Sequence, residues 1–165
     1  MNLCDFTSAA VKKILRWVLI SAGVMLLGMQ LFRPDMTNPP VDAKLAADRF
    51  LVIDPEVGAL LRTACYDCHS NETRWPWYAH VAPASWLLAR DVKEGRNHLN
   101  FSTWGRYAEG RRLLALEDIA EEVAEGRMPF PPYLLLHPEA KLDSGARGKI
   151  VDWAHRESDR LAGEN

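Results

Sequence analysis

Four stretches of this chain repeat apolar residues at helical spacing, and a fifth contains little else. Residues 55–64 follow Asp54, whose short carboxylate suits the unpaired amides of a first helical turn, and set Val57, Leu60 and Leu61 on one face. Residues 83–95 open with proline, which costs nothing in a first turn, and present Trp86, Leu87 and Val92. Residues 113–125 carry Leu113, Leu116, Ile119, Ala120 and Val123, then stop at Gly126. Residues 144–161 place Ile150, Val151 and Trp153 on a last helix. No run alternates apolar and polar positions with period two, so the expected fold class is all-α.

The fifth stretch, residues 14–32, contains one charge, Arg16, and is apolar on every face. Nineteen helical residues would reach about 28 Å, close to the thickness of a bilayer core. Lys12, Lys13 and Arg16 at its start place residues 1–13 in the cytoplasm and everything after Phe32 outside it. No small-x-small cleavage site follows directly, which favours a retained single-pass anchor over a cleaved signal. Cys4 is then a cytoplasmic thiol. Residues 33–53, with Pro34, Pro39 and Pro40, read as a tether, and residues 54–165 as one domain large enough for a single core.

Charge adds exclusions. The chain carries a net −2, and from residue 34 onward there are 16 basic and 21 acidic residues. A mildly acidic domain has no electrostatic grip on nucleic acid, so no nucleic-acid partner is expected. The acidic run Glu117, Asp118, Glu121, Glu122 and Glu125 reads as the wet face of its helix.

The chemistry lies in Cys65-Tyr66-Asp67-Cys68-His69, a CxxCH motif. Two residues between the cysteines let both sulfurs reach the edge of one porphyrin, while the chain turns the following imidazole beneath it as an axial ligand. A redox dithiol would call for a βαβ context, which is lacking. A zinc site needs further ligands at short spacing, and the third cysteine, Cys4, lies beyond the apolar run. The cofactor expected is therefore one haem c, attached through Cys65 and Cys68 and ligated by His69. In bacteria that attachment takes place outside the cytoplasm, which agrees with the expected topology: inner membrane, with the haem domain facing the periplasm.

Several strings, taken together, are more specific than CxxCH alone. They are residues 65–77 (CYDCHSNETRWPW), 81–86 (VAPASW), 94–96, Leu99-Asn100-Phe101-Ser102 with Trp104, 126–129 (GRMP) and Leu136-His137-Pro138. Over about 100 residues, from Asp54 to Trp153, the chain resembles the haem-binding domain family of small, membrane-anchored, cytochrome-c-like proteins. The resemblance implies a covalent haem c in an α-helical, cytochrome-c-like domain on the extracytoplasmic side.

The sixth ligand of the iron decides what such a haem does. Met128 stands in a loop with Pro129, Pro131 and Pro132, which stiffen it, and the only other methionine after the apolar run is Met36. A thioether there would raise the reduction potential relative to histidine. His137, nine residues on, is the first alternative; His80, His98 and His155 are weaker ones. Arg96 is the first candidate to neutralise the haem carboxylates, ahead of Arg74 and Arg90. Trp77, within a dense aromatic set, is a candidate wall for the porphyrin. With Met128 as ligand the protein is a one-electron carrier, paired with an unidentified membrane redox partner. With an open sixth position it is a peroxidase-like or ligand-sensing haem domain, and a structural haem domain within a larger complex is a third reading.

Overall fold

A computed structural model describes residues 3–163, with side chains from residue 10 onward. The helices are α1 (Leu3–Met29), α2 (Pro55–Ala64), α3 (Tyr66–His69), α4 (Ala84–His98), α5 (Glu109–Ala124) and α6 (Ser144–Gly163), joined by short 3₁₀ turns. No strand occurs among the described residues, so the all-α expectation holds. The chain packs as two units: Met1–Met36 with Pro76–Ala89, and Thr37–Trp75 with Arg90–Asn165.

In the first unit, α1 exposes Ile14, Trp17, Leu19, Val24, Met25 and Leu27 on different sides of its axis. The continuous span expected over residues 14–32 does not form. The helix closes at Met29, and Gln30, Leu31 and Phe32 leave it in successive tight turns. The side chain of Gln30 grips the backbone of Ala82, accepting from its amide at 3.0 Å and donating to its carbonyl at 3.2 Å. Trp86 Nε1 donates to the Phe32 carbonyl at 2.6 Å. No helix among the described residues is long and apolar enough to cross a membrane. Any eighteen-residue stretch of α1 includes Lys12, Lys13 and Arg16. Beyond them, Trp17–Met29 gives thirteen uncharged helical residues, about 20 Å against the roughly 30 Å of a hydrocarbon core. The side chain of Cys4, expected to be a cytoplasmic thiol, lies outside the described residues.

The second unit holds the core. α2 runs over the residues its pattern predicts, because Asp54 caps it through the amides of Glu56 (3.1 Å) and Val57 (2.9 Å) and Pro55 opens its first turn. Along α5, Ala115, Leu116, Ile119, Ala120 and Val123 form one buried stripe that packs on α6, whose Ile150, Trp153 and Ala154 are also buried. α5 starts four residues ahead of its apolar pattern, since a polar first turn needs no buried face. At its end Gly126 takes φ +73°, a conformation that favours glycine, and the amides of Gly126 and Met128 return to the Val123 and Glu122 carbonyls.

Residues 45–52, expected to belong to a tether, instead pack on the domain. Ala47 and Leu51 are buried, and the Leu45 carbonyl accepts from Gly105 N at 2.8 Å. Val52 bonds α6 twice, through its carbonyl to Trp153 Nε1 (3.0 Å) and through its amide to the buried Glu157 (2.9 Å). The apolar residues of this stretch had a surface to cover, which the prolines upstream of it, at 34, 39 and 40, did not reveal.

Candidate functional site

α2 delivers the chain directly into the CxxCH turn. Cys65 N bonds the Leu61 carbonyl at 2.9 Å, and His69 N bonds the Cys65 carbonyl at 2.9 Å, so both cysteines and the histidine share one short helical turn. The two thiols are free. Burial, reinforced by Cys68, pushes the Cys65 thiol up to about 12. Burial, with Asp67 and Asp91 adding to it, pushes Cys68 up to about 11. Both are neutral thiols at physiological pH, unlike the thiolates of a redox dithiol or a zinc centre. No group of three or more His, Cys, Asp and Glu able to hold a metal ion occurs among the described residues.

His69 is oriented from behind. Its Nδ1 lies 2.9 Å from the Gly95 carbonyl and 3.2 Å from the Leu99 carbonyl, both at the end of α4. Carbonyls only accept, so this nitrogen carries the proton, and Nε2 is left with the lone pair that a metal needs. Burial lowers the imidazole pKa, the two backbone bonds opposing it, which keeps the ring neutral. The approach of α4 depends on Gly95. A Cβ at that position would stand 2.7 Å from the Cys68 carbonyl oxygen and 3.2 Å from the Cys68 Cβ. An isolated glycine inside a helical pattern was the signal that could have exposed this contact.

A polar network fixes the loop after His69. Ser70 Oγ donates to the Tyr66 carbonyl (2.7 Å), and Thr73 Oγ1 to the Asp67 carbonyl (2.7 Å). Arg96, the first candidate for the haem carboxylates, donates to the Ser70 carbonyl (2.7 Å), Thr73 Oγ1 (2.8 Å) and Asn38 Oδ1 (2.7 Å) and so braces the loop. Buried Asn71, Asn100 and Ser102 bond one another. Asp67, inside the motif, accepts from Arg74 and from the hydroxyl of Tyr133. Neither Asp67 nor Tyr133 stood out in the sequence.

The other candidates fall as follows. Met128 is half-buried and packs, with Cys65 and Leu99, on the core of this unit. His137 is half-buried, its ring stacked on Tyr133 (centroids 4.0 Å apart, planes at 8°) and its Nδ1 on Glu139 at 2.9 Å. Trp77, Met36 and His80 belong to the other unit, and Trp77 is 78% exposed. His98 and His155 are exposed, Arg90 pairs with Glu94 on the surface, and Arg74 serves Asp67.

Does a haem suit these residues? The donor set does: two neutral thiols two residues apart and an imidazole with a single available ring nitrogen. Apolar and aromatic surfaces flank it, with Tyr66 stacked on Phe101 (5.0 Å) and Phe101 on Trp104 (6.3 Å). Two buried donors, Trp104 Nε1 and Arg112 Nε, have no hydrogen-bond partner among the described residues. The residues fit the group.

Comparison with known proteins agrees. The sequence profile described as "Haem-binding domain" matches residues 24–156. No curated protein matches, and no solved structure matches. The match covers most of the chain, which therefore belongs to the haem-binding domain family.

Proposed function

We propose that this protein is a c-type cytochrome with one haem, bound covalently through Cys65 and Cys68, that transfers single electrons on the outer side of a bacterial inner membrane. The observation that carries the reading is the pair of backbone bonds on His69 Nδ1, which present Nε2 from within a CxxCH turn. Cys65 and Cys68 would hold the haem through thioether bonds to its two vinyl groups. When bound, the haem iron supplies the one-electron couple. The protein holds the imidazole in one tautomer and one orientation, which spares reorganisation on each transfer.

Met128 is the proposed sixth ligand. It is half-buried, it packs on the same core as Cys65, and its amide is pinned to the Glu122 carbonyl at 3.0 Å. Its thioether would hold the potential above that of a bis-histidine haem. For placement, α1 carries Lys12, Lys13 and Arg16 ahead of its apolar surface and exposes large apolar side chains on several sides from Ile14 to Leu27. We read it as the element that attaches the chain to the membrane, with the haem domain on the periplasmic face.

The test of attachment is a denaturing gel stained for haem, with intact mass. The chain should gain the mass of one haem, and Cys65→Ser or Cys68→Ser should sharply reduce the stained band. Complete extraction of the pigment by acidified acetone would refute covalent attachment. For the ligand, Met128→Ala should keep the covalent haem, abolish the thioether–iron charge-transfer band of the ferric protein and admit carbon monoxide to the ferrous one. An unchanged spectrum would make Met128 a packing residue. A reporter fused after Asn165 should be active only outside the cytoplasm, and the chain should enter the detergent phase; a chain wholly in the aqueous phase would refute membrane attachment.

A further inference from the structure

Between the buried Pro129 and the buried Ala140 lie ten residues of which none is fully buried. Leu135 and Leu136 are 82% and 62% exposed. Apolar burial therefore contributes little to holding this loop, although it begins right after Met128 and contains His137. A polar tie does hold it. Tyr133, in the 3₁₀ turn Tyr133–Leu135, donates its hydroxyl to Asp67 Oδ2 at 3.0 Å, across 66 residues of sequence.

The acceptor is unusual. Asp67 lies between the two cysteines, and its carboxylate is buried. Arg74 supplies three donors to it: the backbone amide (3.0 Å) and Nε (3.2 Å) on Oδ1, and Nη2 (3.1 Å) on Oδ2. Tyr133 supplies one from outside the 65–74 segment. A buried carboxylate needs every donor it can collect, so this hydroxyl is worth more than a surface contact. The Tyr133 ring also lies flat on His137, so the same side chain braces the far end of the loop.

We propose that Tyr133 is a positioning residue for the sixth ligand, its hydroxyl on Asp67 latching the loop that follows Met128 onto the turn that carries both cysteines. The inference rests on the reading of Met128 as ligand and adds a cause for its retention. Asp67 then serves both segments: its backbone is part of the turn that presents His69, and its carboxylate restrains the loop that follows Met128. Release of the thioether requires the loop to move, and the latch opposes that movement.

The experiment uses the full-length haem-loaded protein. The rate at which imidazole displaces the native ligand from ferric iron is measured for parent, Tyr133→Phe and Met128→Ala, with haem staining and thermal unfolding alongside. Tyr133→Phe removes only the hydroxyl. It should keep the covalent haem and the thioether band yet bind imidazole about tenfold faster than the parent, the effect of weakening one hydrogen bond to a charged group. Binding at the parent's rate, with the band intact, overturns the latch while leaving Met128 as ligand. If the parent shows no thioether band, or Met128→Ala leaves the band in place, the ligand reading fails first and the latch falls with it. Should Tyr133→Phe lose its haem or fail to accumulate, hydrogen exchange on the parent decides. Amides of residues 133–137 protected as well as those of the CxxCH turn support the latch, and exchange at the rate of a fraying loop overturns it.

Discussion

Replacing Gly95 by alanine sets two calculable effects against each other. In an ordinary helix interior the change is favourable by about 1 kcal/mol, because alanine loses less backbone freedom. At Gly95 the new methyl would meet the Cys68 carbonyl oxygen at 2.7 Å and the Cys68 carbonyl carbon and Cβ at 3.2 Å. Backbone atoms of a short helical turn cannot swing aside as a flexible side chain would, so α4 must retreat from the CxxCH turn. Overpacking of this kind costs about 1–3 kcal/mol. Retreat also stretches the bonds from His69 Nδ1 to the Gly95 and Leu99 carbonyls, each worth about 0.5–1.5 kcal/mol. The losses exceed the gain, and Gly95→Ala should destabilise the protein by about 1–3 kcal/mol.

The control is Gly148→Ala in α6, where a Cβ would meet nothing within 4 Å. There the propensity term acts alone and should stabilise by about 0.5–1 kcal/mol. Urea unfolding of both variants and the parent, followed by helical circular dichroism, gives the comparison. The haem spectrum of Gly95→Ala should also shift, because the imidazole loses its fixed orientation. If Gly95→Ala proves as stabilising as Gly148→Ala and leaves the spectrum untouched, the close approach of α4 to Cys68 is wrong.

Three further outcomes are expected. Asp54→Ala removes the acceptor of the Glu56 and Val57 amides and should cost about 1 kcal/mol in urea unfolding. Gly126→Ala forces a Cβ into φ +73° and against Arg147 Nη1, and should cost about 1–2 kcal/mol, with imidazole binding speeded because Met128 stands two residues on. Asp91 has its carboxyl pKa held up, chiefly by burial. A folded pKa above the unfolded one stabilises the fold below about pH 4 and loses that contribution as pH rises. Asp91→Asn should therefore stabilise the protein at pH 7, by a few tenths of a kcal/mol given the water that still reaches the group. It should also flatten the stability profile as pH rises above the ordinary carboxylate range.

How much of this was readable beforehand follows the range of the forces involved. α2 was legible to its last residue because Asp54 and Pro55 act within one turn. The CxxCH motif was visible because five consecutive residues carry it. The partners of His69 were not, since Gly95 and Leu99 lie 26 and 30 residues on and act through backbone carbonyls, which no side-chain pattern reports. The end of α1 was misread for a similar reason. Apolar residues continue to Phe32, but Gln30 finds the backbone of Ala82, 52 residues away. The bonds that Arg96 makes to Ser70, Thr73 and Asn38 were not legible, because a long cation does not announce which acceptors it will meet. The early start of α5 escaped too: Arg111 and Arg112 lie over the rings of Tyr107 and Phe50, and those contacts form only after folding.

His137 is the residue against which the electron-transfer reading has to be measured. Glu139 on its Nδ1 is the kind of partner that orients an imidazole and makes Nε2 a better ligand, so its chemistry alone would suit an axial role. The stack on Tyr133 argues the other way. Two rings 4.0 Å apart and nearly parallel form a contact worth about 0.5–1.5 kcal/mol, and rotating His137 toward an iron would surrender it. Met128 gives up nothing comparable, since a thioether half-buried on the core has only dispersion contacts to exchange. His137→Ala should therefore leave the ferric band and the carbon monoxide reactivity as in the parent and cost about 1 kcal/mol of stability through the lost stack. If that variant instead binds carbon monoxide readily, and Met128→Ala does not, the haem is bis-histidine. Its potential would then lie lower, and its redox partner would have to be a more reducing one than a His/Met haem requires.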